Sequence, residues 1–209
     1  MKVVSLVSSG IDSPVATYLL SQYAEEMILL HADNRPFIDD HELGKFITIA
    51  QHLKRVVSSH LTAILVPHGQ TLSTYKTHCE SKYTCVFCKR MMLRYAEAIA
   101  IKENADALVM GDSLGQVASQ TLQNLRVVES AVSIPILRPL IGFDKEGTIQ
   151  IARKIETFDL SIKPAEGCTA VPVKPSTQAR LKQIHTEEQK IDIEALILHA
   201  IKQLKTVTL

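Results

Sequence analysis

The chain has 209 residues and a formal net charge of +1, and 46% of its residues are hydrophobic but only 5% aromatic. This balanced charge excludes the strongly basic composition of a stand-alone nucleic-acid-binding domain. No apolar run reaches the length of about 18 residues that a membrane helix needs, so we expect no membrane partner. The start, Met1–Val7, has a short β-branched run, which favours a strand over a signal peptide. We therefore expect a cytoplasmic protein whose four cysteines are made as thiols.

Short aliphatic runs alternate along the chain with longer helical patterns, which is typical of βαβ units and a parallel sheet. The runs are continuous, as expected of strands that helices cover on both faces. The sequence thus predicts an α/β fold with a doubly wound, mostly parallel five-stranded sheet. The predicted strands are Val3–Val7, Met27–His31, Ala63–Pro67, Ala107–Gly111 and Ile134–Pro139. The predicted helices are Pro14–Gln22, Leu43–Val57, Lys89–Lys102, Ser119–Glu129 and Lys145–Lys154.

The pattern changes after residue 163. Residues 164–175 contain three prolines and no periodicity, which predicts an ordered surface loop or a mobile flap. Two helical patterns follow, Thr177–His185 and Asp192–Lys205. We therefore predict one main domain over residues 1–176 and a helical extension packed on it over residues 177–209. The apolar stripe of the last helix could instead serve as the surface of a homodimer.

The first predicted strand runs directly into the segment SSGIDS, residues 8–13, and Pro14 follows at the start of a helix. The first turns of a helix leave backbone N–H groups unpaired, and the helix dipole adds partial positive charge there, so this junction predicts an anion site. Ser8 and Ser13 can add hydroxyl donors, and Gly10 lets the backbone approach a ligand closely. The alternative is a strand-to-helix turn rich in capping residues. Neither a Walker-type nor a dinucleotide-binding glycine motif occurs in the sequence.

The pattern SxGxDS at the end of the first strand resembles the pyrophosphate loop of the PP-loop ATPases, which adenylate a substrate and release pyrophosphate. Four further segments narrow the resemblance: CVFCKRMM at 85–92, GDSLGQVASQT at 111–121, PLIGFDK at 139–145 and PAEGC at 164–168. Their order and content resemble the catalytic domain of the tRNA 4-thiouridine synthetase (tRNA sulfurtransferase) family, from about residue 2 to about residue 177.

The resemblance implies ATP-dependent tRNA sulfuration, in which the domain adenylates uridine 8 of tRNA and sulfur then displaces AMP. It implies ATP and Mg²⁺ as cofactors, and tRNA and a sulfur donor as partners. Asp12 is implied as a magnesium-linked or catalytic residue. The ATP-binding residues expected from the loop and the resemblance together are Leu6, Val7, Ser8, Ser9, Gly10, Asp12, Ser13, His31, Ala32, Arg90, Gly111 and Gln120.

The sequence departs from the family pattern at two points. Ser9 stands where the usual loop has a glycine, and a positive φ there would cost on the order of 1 kcal/mol. Larger family members also carry N-terminal tRNA-binding domains, so we expect this chain to need a separate tRNA-binding protein or domain. Two other functions therefore stay open: a PP-loop enzyme that sulfurates or ligates a small molecule, and a non-catalytic nucleotide-binding module.

The cysteines are Cys79, the pair Cys85-x-x-Cys88 ahead of a predicted helix, and Cys168 in the proline-rich stretch. Their spacing leaves four roles open: an iron–sulfur cluster, a persulfide on a catalytic Cys168 that Cys85 or Cys88 resolves, a zinc site that includes Cys79, or buried thiols. Relatives that lack a rhodanese domain carry this cysteine pattern, so the resemblance favours a [4Fe-4S] cluster on Cys85, Cys88 and Cys168, with zinc as the weaker alternative.

Overall fold

The computed structural model describes residues 1–209 and contains one sheet of six strands between two layers of helices. The strand order is β5-β4-β1-β2-β3-β6, and all neighbours are parallel except β3 and β6. The doubly wound, mostly parallel α/β fold predicted from the sequence is therefore confirmed. The strands are β1 (Lys2–Leu6), β2 (Glu26–Asp33), β3 (His60–Pro67), β4 (Ala107–Val109), β5 (Ile136–Leu137) and β6 (Lys205–Val207).

The predicted number of five strands is wrong, because a sixth strand closes one edge. β6 pairs antiparallel with β3, with Ala63 opposite Val207. Its first residue, Lys205, is the last residue of the predicted helix Asp192–Lys205, since the apolar spacing of the preceding residues is helical, whereas α9 ends at Lys202. A three-residue strand is too short to show its own period, so only its position beside β3 reveals it.

Helices account for most of the remaining chain, and none of them is long and apolar enough to cross a membrane. Two differ from the prediction in ways that affect the site. α3 was not predicted at all, and α4 begins five residues earlier than expected, so Cys85 and Cys88 lie inside it rather than ahead of it. The helices are α1 (Asp12–Ser21), α2 (Asp40–Val56), α3 (Gly69–His78), α4 (Thr84–Glu103), α5 (Leu122–Glu129), α6 (Lys145–Lys154), α7 (Phe158–Ser161), α8 (Leu181–Glu188) and α9 (Ile193–Lys202).

Two hydrophobic cores lie on the two faces of the sheet. Along β1 the side chains alternate: Val4 and Leu6 belong to one core, and Val3 belongs to the other, as does Val7 just after the strand. The first core packs under α3, α4, α5, α8 and α9, and the second under α1, α2, α6 and α7. This is why the predicted strands read as continuous apolar runs.

The C-terminal helices pack on the α4 face of the sheet. Ile184 of α8 and Ala200 of α9 are buried in the first core, and α9 lies against both α4 and β3. The residues predicted to form a packed helical extension therefore share the core of the main domain. The predicted division near residue 176 stays a prediction.

The connections reverse direction next to β1. The chain runs outward from β1 to β2 and β3, and later returns to the other side of β1 with β4 and β5. In open α/β sheets, ligands bind in the crevice at the carboxyl ends of the strands where the strand order reverses. The topology thus places the segment that follows β1, residues 8–13, at the position where a ligand site is expected.

Candidate active site

A cavity of about 440 Å³ opens at the carboxyl ends of β1, β2 and β4. It brings together the segment after β1, the end of β2, one face of α4, the stretch after β4 and the loop of Cys168. Eleven of the twelve predicted ATP-binding residues line it; they are Leu6, Val7, Ser8, Ser9, Gly10, Asp12, Ser13, His31, Ala32, Gly111 and Gln120.

The segment 8–13 forms a loop closed by its own serines. The backbone N–H of Ser8 donates to Oγ of Ser13 at 2.8 Å, and the N–H of Gly10 donates to Oγ of Ser8 at 3.2 Å. No side chain caps the start of α1. The unpaired N–H groups of its first turn are therefore available to an anion, as the sequence predicted.

Gly111 allows the end of β4 to touch the start of α1. A Cβ atom at this position would lie 2.7 Å from both the Cα and the backbone nitrogen of Ser13. Real Cβ atoms do not approach backbone atoms this closely, so any larger residue would push the loop and β4 apart. The glycine is therefore required to keep the loop in position.

Ser9 carries no backbone strain in the loop. The only non-glycine residues with positive φ are Asn104 and Glu156, both far along the chain from the loop. The cost anticipated for a serine in place of the usual glycine therefore does not arise. Instead, the hydroxyl of Ser9 donates a hydrogen bond to the carboxylate of Glu42, which ties the loop to the start of α2.

His31 ends up neutral at the back of the cavity. Burial lowers the pKa of its imidazole below the ordinary value, outweighing the hydrogen bond to the Val7 carbonyl and the nearby carboxylates, which would raise it. Nδ1 lies 2.8 Å from that carbonyl and must donate to it, and the ring stacks on Phe46 at 4.2 Å. Nε2 is thus left as a hydrogen-bond acceptor with no partner in the protein.

A buried carboxylate between two cations also lines the cavity, and no pattern in the sequence marked it as a site residue. Lys89 Nζ lies 2.7 Å from Oδ1 of Asp112, and Arg138 Nε lies 3.4 Å from Oδ2. Burial alone would raise the pKa of the Asp112 carboxyl, but these cations and the amide of Gln120 lower it below its ordinary value. Asp112 is therefore ionised, and it holds Lys89 at the cavity.

Arg90 was wrongly assigned to ATP. Its side chain is completely buried on the other side of α4, where it pairs with Glu188 and donates to the Val127 carbonyl. Lys89 lines the cavity in its place. Successive residues of a helix point about 100° apart, so neighbours cannot exchange roles. The sequence did contain a signal for Lys89 as the cavity residue. Lys89 lies one residue after the cysteine pair and shares a helix face with Met92, which also lines the cavity.

Asp12 lines the cavity at its outer edge, in the first turn of α1. Its Oδ1 accepts a hydrogen bond from Lys145 at 2.8 Å, and the lysine is half-exposed. The carboxylate is thus already paired with a cation that solvent can reach. Its expected catalytic or magnesium-linked role stays a prediction.

The three cysteines of the predicted cluster lie near one another but differ in their surroundings. Cys168 lines the cavity, whereas Cys85 and Cys88 lie in the first turns of α4 and do not. Burial, together with the neighbouring thiols of Cys85 and Cys168, raises the pKa of the Cys88 thiol to about 12. Cys79 lies elsewhere, and its thiol donates to the backbone carbonyl of Glu187 at 3.4 Å.

No group of three or more His, Cys, Asp or Glu side chains is arranged to hold a metal ion. Thiols are suitable ligands for an iron–sulfur cluster, but as placed they do not form a ligand set. The cluster and the zinc site therefore have no arrangement in this structure that would hold them.

A mostly parallel sheet with a glycine- and serine-rich anion loop at its switch point defines an ATP-binding α/β domain of the PP-loop type. The sequence model of the family described as Thiamine biosynthesis protein (ThiI) matches residues 1–193. The chain belongs to this family.

Several curated relatives are similar over nearly the whole chain. A protein named "Probable tRNA sulfurtransferase" from Methanosarcina mazei is 40% identical over 209 residues, which cover 100% of this chain and 52% of the relative. One of the same name from Thermus thermophilus is 41% identical and is covered to 51%. The chain thus spans about half the length of the curated relatives it matches.

The solved structures agree with this assignment. A crystal structure of a 4-thiouridine synthetase–RNA complex with bound ATP superimposes with a TM-score of 0.94 at 33% identity, and the match covers 99% of this chain and 54% of that one. NMN synthetase from Francisella tularensis superimposes with a TM-score of 0.56 at 15% identity, which shows the shared fold alone.

Proposed function

We propose that this chain is the ATP-dependent, adenylating part of a tRNA sulfurtransferase that makes 4-thiouridine. The observation that carries the proposal is that Cys168 lines the same cavity as the phosphate loop. A site built for adenylation alone needs no thiol at the phosphates, whereas a site that exchanges an activated oxygen for sulfur does. The names of the relatives and the ATP- and RNA-bound structural neighbour support the same reaction.

In the first step, the C4 carbonyl oxygen of a uridine attacks the α-phosphorus of ATP. A P–O bond to uridine forms, and the bond to pyrophosphate breaks. The N–H groups at the start of α1 and the ammonium of Lys89 are placed to take up the charge that develops on the leaving pyrophosphate. Preorganised donors of this kind supply much of the rate enhancement of such reactions.

His31, whose Nε2 has no partner in the protein, lines one end of the cavity together with the apolar side chains of Leu30 and Ala32. A neutral imidazole acceptor among apolar side chains suits a purine that presents an amino group. We assign this end of the cavity to the adenine of ATP, as expected from the sequence.

In the second step, sulfur enters from a persulfide on Cys168 that an external sulfur donor has loaded. The terminal sulfur attacks C4 of the activated uridine, the C–O bond to AMP breaks, and a disulfide joins the base to Cys168. A thiol of Cys85 or Cys88 then attacks Sγ of Cys168 and releases 4-thiouridine. The two cysteines end as a disulfide, so the electrons that reduce the sulfur come from the two thiols.

Mg²⁺ is proposed to enter with the phosphates of ATP, since this ion is usually held by substrate phosphates and only one or two carboxylates. Of the three carboxylates at the cavity, Asp112 is enclosed by two cations, and Glu42 accepts from the hydroxyl of Ser9 and lies 3.9 Å from the Lys45 ammonium. Asp12 is paired only with the half-exposed Lys145. Asp12 is therefore the residue that would hold the ion, and it would do so by exchanging one cation for another.

The proposal is tested by measuring pyrophosphate release from MgATP under anaerobic conditions, with and without unmodified tRNA and with a separate tRNA-binding domain added. Release that depends on RNA is expected. Cys168→Ala should retain this release but form no 4-thiouridine, and the matched control Cys79→Ala should retain both. Pyrophosphate release that ignores RNA would overturn the proposal, as would thiolation by the Cys168 variant.

The predicted [4Fe-4S] cluster needs its own test, because the cysteines would have to rearrange to bind it. After anaerobic reconstitution with iron and sulfide, iron analysis and absorption spectroscopy measure whether iron is bound. Bound iron that Cys85→Ala loses and Cys79→Ala retains would show that the cysteines rearrange to hold a cluster. Protein that stays free of iron would rule out the cluster and leave the persulfide route.

A further inference from the structure

A second cavity, of about 330 Å³, lies between α5 and the segment that leads into α8. Its polar walls are Gln123, Arg126 and Ser130 on the helix and Gln178 and Arg180 on the segment. No carboxylate lines it. These residues define what we call the arginine cleft. The function proposed above does not use it.

Both arginines of the cleft are exposed and have no partner. The other six of the eight arginines in the sequence make an ion pair, a side-chain hydrogen bond or a cation–π contact. Arg126 and Arg180 make none of these contacts, although carboxylates are frequent on the surface. Two exposed guanidinium groups beside a cavity without acidic residues attract an anion that the protein itself does not supply.

The arginine cleft is joined to the nucleotide cavity by a short, rigid connection. Gln120 lines the nucleotide cavity, and the next residue, Thr121, caps the helix that forms one wall of the cleft. The fully buried Asn124 holds the other wall, because its side chain donates to the carbonyl of Ser176 at 2.8 Å and accepts from the N–H of Ala179 at 2.9 Å. A ligand in the cleft is therefore held at a fixed position next to the reaction site.

We propose that the arginine cleft binds the sugar–phosphate backbone of the RNA substrate, next to the nucleotide whose base is modified. This inference rests on the proposed function. A guanidinium group matches a phosphate with two parallel hydrogen bonds, and the side-chain amides of Gln123 and Gln178 suit sugar and phosphate oxygens. Because the net charge of the chain is only +1, attraction of RNA has to come from a local site rather than from the protein as a whole.

The test uses the full chain and a fluorescein-labelled unmodified tRNA, with binding followed by anisotropy over a series of salt concentrations. The double variant Arg126→Ala/Arg180→Ala should bind about tenfold more weakly at low salt, and the slope of log K against log salt should fall by about one to two. The control Lys102→Ala/Lys154→Ala removes the same charge from exposed positions at the opposite ends of the strands and should stay within about twofold.

Three results would overturn the inference: no binding of tRNA by the unaltered chain at low salt, an equal loss in the control variant, or a weaker affinity of the arginine double variant for ATP. The last would make the cleft part of the nucleotide site. Measurement of pyrophosphate release separates failure of this inference from failure of the proposed function. If RNA binding depends on the two arginines but pyrophosphate release does not depend on RNA, the arginine cleft is supported and the proposed reaction is rejected.

Discussion

Lys89 and Arg90 are adjacent on α4, yet they belong to two regions with opposite physical character. Lys89 contacts Asp112 at the wall of an open cavity, whereas Arg90 is completely buried between α4 and α8. The first cation is held by one neighbour and can still meet a ligand. The second donates hydrogen bonds inside the protein from all three of its guanidinium nitrogens. The direction of a residue on its helix, and not its charge, decides whether it can serve a site or the fold.

The buried region is a small network centred on one carboxylate. Glu188 accepts hydrogen bonds from Arg90 at 2.9 and 2.8 Å and from Arg94 at 2.7 and 2.9 Å. Burial alone would raise the pKa of the Glu188 carboxyl, but the two guanidinium groups lower it to about 2. Because this network joins α8 to α4, it fixes the C-terminal helices to the sheet.

The largest effect is expected from Glu188→Ala, which leaves the buried guanidinium of Arg90 without a counter-ion. Breaking a buried ion pair in this way costs about 3–5 kcal/mol, so we expect that loss in the free energy of unfolding measured with urea. The control Glu129→Ala removes a carboxylate that pairs with Arg138 and is 57% exposed, and it should cost at most about 1 kcal/mol. Equal losses in the two variants would show that the buried network around Glu188 stabilises the protein no more than an exposed ion pair does.

The same network predicts how stability depends on pH. The folded-state pKa of Glu188 lies near 2, below its ordinary value of 4.5. Its contribution to stability is therefore complete above about pH 4.5 and is lost as the pH falls toward 2. Glu188→Gln cannot titrate, so its unfolding free energy should depend less on pH in this window. Identical slopes for the two proteins would contradict the assignment.

On the cavity side, Gly111→Ala should have the next largest effect. The added Cβ would lie 2.7 Å from the backbone of Ser13, and we expect about 1–3 kcal/mol of destabilisation together with weaker ATP binding. Gly44→Ala is the matched control, because nothing lies within 4 Å of its added Cβ on α2, and it should stabilise the protein by up to about 1 kcal/mol. Thermal unfolding and calorimetric ATP titration measure both effects.

Lys89→Met tests the comparison directly. Without this cation, Asp112 keeps only Arg138 as a counter-ion and adds negative charge to a cavity built for phosphates. We expect the Kd for ATP to rise about tenfold, with a loss of unfolding free energy below the loss of about 3–5 kcal/mol expected of Glu188→Ala, because Asp112 keeps one counter-ion. Lys102→Met, an exposed position on the same helix, should change neither. A loss of stability in Lys89→Met as large as that of Glu188→Ala would show that Lys89, like Arg90, stabilises the fold instead of serving the site.

The smallest effect is expected from Ser9→Gly, which restores the usual residue of the family loop. Ser9 has no positive φ, so glycine relieves no strain and only removes the hydrogen bond to Glu42. The affinity for ATP should change by less than about threefold. A much tighter complex would show that the serine does restrict the loop.

The sequence predicted the site best where the type of residue and the local secondary structure point to the same role. The loop 8–13 joins a buried strand to a helix, so its place at the edge of the sheet followed from the pattern alone. Lys89 and Arg90 were not separated, because both are cations next to the cysteine pair, and only the helix face that Lys89 shares with Met92 distinguishes them. β6 could not be found either, since its three residues form a strand only by pairing with β3.

The hydrogen bonds that hold the Cys168 loop limit how the sulfur donor and the RNA can reach the thiol. The N–H of the next residue, Thr169, is bonded to the Phe37 carbonyl at 2.8 Å, and Ser176 is bonded to the Lys82 carbonyl at 2.9 Å. Because the loop is bonded at both places, the Cys168 thiol has a fixed position and does not move between the sulfur donor and the RNA. The sulfur donor and the RNA must then bind at the same site, one after the other. We expect them to compete, so excess RNA should slow the loading of sulfur.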